Sequence, residues 1–201
     1  GTKNRVTVTA ESLQFLVSEL DAAAVDYHMR VVGFHEFLDD QALELSQWTP
    51  MPASIRQRIA QFSPLGEERM LDVLMQTPNL LRHRPFADRH LVIVCDSPAL
   101  TSWDAKAAVG ELQERIRRRV LMDGIRVHIV GYPETFQRRL ATDSGGVFIE
   151  MPPPPPAIAR VPPPPPGRVL LDPEALTPSF VQIARHSLEI DGATSDQLVV
   201  L

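Results

Sequence analysis

The chain has 201 residues, enough for one α/β domain with a good core or for one domain plus appendages. Apolar residues at 44% and charged residues at 22% are ordinary for a globular protein, and a net charge of -5 gives no reason to expect a nucleic-acid partner. A single cysteine excludes an internal disulfide framework, no apolar run is long enough to cross a membrane, and "GTKNRVTVTAES" lacks the apolar core of a signal peptide. The expectation is a soluble protein, with the cytoplasm slightly favoured.

Residues 11 to 27, "ESLQFLVSELDAAAVDY", place Leu13, Leu16, Val17, Leu20 and Ala24 on one helical face, with Thr9 or Ser12 as the cap. "MRVVGF" (29 to 34) reads as a short buried strand. Within the stretch that follows, "ALELSQW" alternates and suits a second strand or an edge hairpin. Pro52 and Ser54 open a helix over "ASIRQRIAQF". After a break at "SPLGEE", Met70, Val73 and Leu74 recur at helical spacing.

"HLVIVCD" is continuous, apolar and β-branched, the mark of a strand buried on both faces. Cys95 inside it reads as a small buried hydrophobe. "SWDAKAAVGELQERIRRRVLMDG" is the strongest helix, with Ala108, Leu112, Ile116 and Val120 inward and Gly124 as its stop. "IRVHIVGY" is another buried strand, "ETFQRRLATDSGG" a short helix halted at Ser144 to Gly146, and "VFIEM" a further strand.

Strands alternating with helices at this spacing predict an α/β fold, a doubly wound and mostly parallel sheet flanked by helices. That domain is expected over residues 1–151. Residues 152–167, within which fall ten of the 19 prolines, cannot join a sheet interior and should extend as a polyproline II linker. Residues 168–201 read as a strand, a helix near 176 to 188 and a closing strand "DQLVVL", an element able to complete the sheet.

From about residue 10 to 151, roughly 70% of the chain, the order of elements resembles a von Willebrand factor A (VWA) domain. "LQFLVSELDAAAVDYHMRVVGFHEF" is similar to that family's first helix and the strand ending in a conspicuous Phe. "IRQRIAQFSPLGEERMLDVL" is similar to the stretch around its Gly-Gly-Thr turn. "HLVIVCDSPAL" is similar to the strand that ends in an Asp-Gly pair, and "GIRVHIVGY" to the next strand. "FQRRLATDSGGVFIEM" resembles the helix, Gly-Gly turn and strand that close the domain. The resemblance implies a Rossmann-like sheet with a metal-ion-dependent adhesion site at its carboxyl edge.

That site takes an Asp-x-Ser-x-Ser loop, a Thr and an Asp, hard oxygen ligands suited to Mg or Mn. Asp96 occupies the third-loop position, but Glu67 and Glu68 stand where Gly and Thr are expected, and the Asp-x-Ser-x-Ser loop is absent. The site is therefore expected to be degenerate, with no cofactor. Asp96 and Glu68 are the weak candidates for a metal in the alternative reading. The family's first strand, which belongs in the middle of the sheet, also needs a source. "NRVTVT" near the start is one candidate. The C-terminal "SDQLVVL" is the other, and it would make the fold permuted or swapped.

No Gly-x-Ser-x-Gly elbow, Gly-x-Gly-x-x-Gly turn or Walker-type loop occurs. His83 and His90, seven apart around Asp88, read as part of a solvated basic loop, and His128 as a core histidine. "ERIRRR" spreads Arg115, Arg117, Arg118 and Arg119 around most of a helix, a solvated face first and an acidic-partner or nucleic-acid patch second. The proline run fits Arg-x-x-Pro-x-x-Pro through Arg160, Pro163 and Pro166, and the reverse pattern through Pro163, Pro166 and Arg168, so it is either a spacer or a ligand for an aromatic groove.

Together these features predict a non-enzymatic interaction module, a subunit of an assembly or a homo-oligomer, with a protein partner. Its binding edge is expected at Asp96, Ser97, Thr101, Glu67, Glu68, His35 and Glu36, because open α/β sheets present loops there. Metal-dependent adhesion with substitute ligands, and a hydrolase or transferase on a related sheet, are the alternatives.

Overall fold

A strand that is apolar at successive positions must be covered on both faces, and the strands of this chain meet that need with helices above and below. A computed structural model describes residues 5–37, 43–44, 47–61, 69–82, 85, 87–95, 98–99, 109–131, 133–150, 182–183 and 194–200. Its elements are α1 (Arg5–Ala22), β1 (Asp26–Val32), a 3-10 turn (Phe34–Phe37), α2 (Pro52–Gln61), α3 (Met70–Leu80) and β2 (Asp88–Cys95). Then follow α4 (Val109–Met122), β3 (Ile125–Gly131), α5 (Thr135–Asp143), β4 (Phe148–Glu150) and β5 (Thr194–Val200).

The five strands form one sheet in the order β1-β5-β2-β3-β4, and every neighbouring pair is parallel. The architecture is α/β, doubly wound. On one face Val32, Leu91, Ile93, Leu198, Val127 and Ile129 pack with residues of α3, α4 and α5. On the other, Met29, Val31, Val92, Val94, Val130 and Val199 pack against α1 and α2, with Ile183 added from near the C-terminus. Each such side chain is worth about 1.5–3 kcal/mol when fully buried, so the two layers supply the main driving force.

Of the two candidates for the middle strand, the N-terminal one is overturned. "NRVTVT" does not form a strand, because Arg5 to Thr9 are the first turns of α1. The helix thus starts before Thr9 and Ser12, and neither caps it. Four of its predicted core residues, Leu13, Leu16, Val17 and Leu20, are buried. Ala24 is not among them; it lies past the helix end, exposed, with φ of +53°. The interior position between β1 and β2 belongs to β5, which pairs over Thr194–Val200 with β1 and from Ser195 to Val200 with β2.

The strand expected at 29 to 34 begins earlier and ends at Val32, and Phe34 enters the 3-10 turn. The strand or hairpin expected at "ALELSQW" does not form among the described residues: Leu43 and Glu44 are helical, and one antiparallel bridge joins Met29 to Thr49 just past that stretch. That bridge still covers part of the outer edge of β1. At the opposite edge β4 is three residues long and flanked by the Arg138–Glu150 ion pair, and short, charged edges resist unwanted strand pairing. Ile116 and Val120 point inward from α4, and Gly124 stops it at φ of +64°. The polyproline segment and most of residues 168–193 lie outside the described residues.

Candidate functional site

Because every strand runs the same way, the carboxyl ends Val32, Cys95, Gly131, Glu150 and Val200 share one edge of the sheet. Of the residues predicted to line it, Asp96, Ser97, Thr101, Glu67 and Glu68 lie outside the described residues, as do Arg160, Pro163, Pro166 and Arg168. His35 lies in the 3-10 turn, and its side chain is outside the described set. Glu36 is the predicted edge residue whose surroundings are defined.

Glu36 is only 5% exposed. Gly33 stands before the 3-10 turn, and its N–H donates to Glu36 Oε2 at 2.7 Å, the reach-back that a Glu makes at the third position of a helix start. Its other oxygen accepts from Arg58 Nη2, and Arg58 Nε donates to the Val31 carbonyl at 3.2 Å. Glu36 therefore ties the end of β1 to α2. Arg30, also buried in β1, donates to the Leu43 carbonyl. Burial lowers its pKa, and the Glu36 charge opposes that shift.

Beside this ion pair a cleft of about 570 Å³ opens between β1, α2 and residues 47–51. Met29, Val31, Trp48 and Ile55 give it apolar walls, Glu36 and Arg58 a charged end, and Met51 stands exposed at its lining. A cleft that sets apolar walls beside fixed polar groups suits a side chain or a short peptide segment. Trp48 and Arg58 escaped the sequence reading because one lies in a segment read as a strand and the other on a helix with no motif.

A second group organises the edge between β2 and α5. The Glu134 carboxylate accepts from the Ala99 N–H at 2.7 Å and from Gln137 Nε2 at 3.3 Å, and the Cys95 thiol lies 3.7 Å from Gln137 Oε1. Cys95 is buried, as a small hydrophobe would be. An acid just before a helix normally suggests a cap for that helix; here Glu134 instead holds the loop after β2.

His90 is corrected by the structure. It does not belong to a solvated loop with His83; it is fully buried in β2 and stacks on His128 of β3. The Val147 N–H donates to His128 Nδ1 at 3.3 Å, so a neutral His128 carries its proton on Nε2, 3.0 Å from the accepting Nδ1 of His90. Among the described residues no three His, Cys, Asp or Glu side chains converge as a metal-binding group.

Fold and site define an α/β protein with a doubly wound parallel sheet, a cleft beside its first strand and a carboxyl edge held by the partly buried Glu36–Arg58 ion pair and by hydrogen bonds. No protein-family model matches the chain, and no curated protein is significantly similar to it.

Proposed function

We propose that the chain is a non-enzymatic, VWA-like protein-interaction module whose sheet is circularly permuted. It binds a protein partner at the carboxyl edge and the adjoining cleft, with the proline-rich arm as a second attachment. The observation that supports this reading is the place of β5. The last strand of the chain lies between β1 and β2, where the resemblance requires the family's first strand. Further support comes from the cleft itself, which sets apolar walls beside polar groups, and whose ion pair is locked into the scaffold rather than poised for chemistry.

The test compares the wild-type chain, the double variant Asp96→Lys/Thr101→Lys and a control, Ala23→Lys, at the opposite edge. Each is used for quantitative affinity purification from the native host. The expected result is that one defined partner is lost at least about tenfold from the edge variant and retained by the control. Equal recovery by both variants would overturn the proposal. Calorimetry with Mg and Mn addresses the metal-dependent alternative: tight binding abolished by Asp96→Ala would establish adhesion through a metal instead.

A further inference from the structure

The outer surface of the α3–α4 layer carries two adjoining depressions that share Arg115 and Arg119. One, of about 320 Å³, lies between the helices over Leu74 and Ile116, with Met75 and Pro78 on the α3 side. The other, of about 590 Å³, continues along α4 to Met122. Three large apolar side chains are exposed among the described residues, and two of them, Met75 at 41% and Met122 at 84%, flank this strip. Both depressions expose mainly apolar area rimmed by charged side chains, the arrangement that marks an interaction groove.

The arginines supply the second observation. Arg117 pairs with Glu114 and Asp143, Arg118 with Glu114, and Arg119 with Asp123. Arg115 has no acidic partner among the described residues, and it sits where the two depressions meet. Arg115, Arg119 and Met122 follow one another at helical spacing on a single stripe.

We propose that this strip is a docking groove for an acidic amphipathic helix of a protein partner. The apolar face of such a helix would cover Met75 and Met122, and a carboxylate at its rim would pair with Arg115. Methionine and arginine are side chains enriched at interfaces, the first for its adaptable shape and the second for its planar donors. Glu111 and Glu114 in the same strip would repel a continuous phosphate backbone, so nucleic acid is the poorer fit. The groove runs along the outer face of α4 from Gly110 to Met122, on the helix layer and not on the loop residues Asp96, Ser97 and Thr101 of the other proposal. Its test reads Met75, Met122 and Arg115, none of which belongs to the proposed carboxyl-edge site, so its failure would leave that proposal untouched.

The probe is a synthetic helical peptide of about 16 residues, with leucines three and four apart and glutamates beside them, titrated into methyl-labelled protein. A lysine-for-glutamate peptide and a DNA duplex serve as comparisons. The Met75 and Met122 methyl signals should move with the glutamate peptide. Arg115→Glu should weaken binding at least about tenfold and reverse the preference toward the lysine peptide. Arg115 is exposed, and a melting curve of the variant separates lost binding from lost folding. Unmoved methyls, an equal response to both peptides, or a response to DNA in place of peptide would each overturn the proposal.

Discussion

Gly131 ends β3 with φ of +146°, and a Cβ placed there would overlap the carbonyl oxygen of Cys95 on the neighbouring strand. Both the dihedral and the close approach require glycine. Gly131→Ala should therefore destabilise the fold by more than about 2 kcal/mol, read as a lower midpoint in denaturant unfolding. An unchanged midpoint would show that the strand ends can separate without cost. Other residues at this scale were harder to read in the sequence. Glu36 looks like a free acid on a loop, yet its carboxylate is consumed by Gly33 and Arg58. His90 follows Asp88 and Arg89 and so looks solvated, but its partner is His128, 38 positions away, and no local pattern encodes that contact.

The helices were legible where one stripe of apolar residues faces a core, because the 3.6-residue period is a local property. Their ends were less so: α1 extends back through "VTVT", a β-branched run that sequence preference assigns to a strand. Nearby charges on α4 behave as the spacing suggests. Hydrogen bonds from Arg117 and Arg118 hold the Glu114 carboxyl down at about 2. Because that value is lower in the folded chain than its ordinary 4.5, the pairing stabilises the fold fully above about pH 4.5 and is lost as the pH falls toward 2. Melting curves of the wild type and Glu114→Gln should differ above pH 5 and converge near pH 2. Parallel curves throughout would mean that the pairs do not persist in solution. Asp123, at the end of the same helix, is raised by burial, but hydrogen bonds from Arg119 and Arg82 outweigh this and its pKa is lowered on balance.

For the molecule as a whole, β5 is the strand on which the sheet depends. Deleting residues 196–201 removes Leu198 and Val199 from opposite cores and leaves facing edges of β1 and β2 without their shared neighbour. Two buried side chains at about 1.5–3 kcal/mol each, plus the lost ladder, rival the roughly 5–15 kcal/mol that holds a domain of this kind together. The truncated chain should lose cooperative unfolding, as followed by circular dichroism in denaturant; a stable, cooperatively folded truncation would sink this account. The class of fold and most helices and strands can be read from the sequence, since hydrophobic period and turn residues act over a few positions. Which strand lies between β1 and β2, which acids are spent on internal ion pairs, and how His90 meets His128 required the folded chain. Those outcomes depend on contacts between segments far apart in sequence, formed when the two faces of the sheet are buried together.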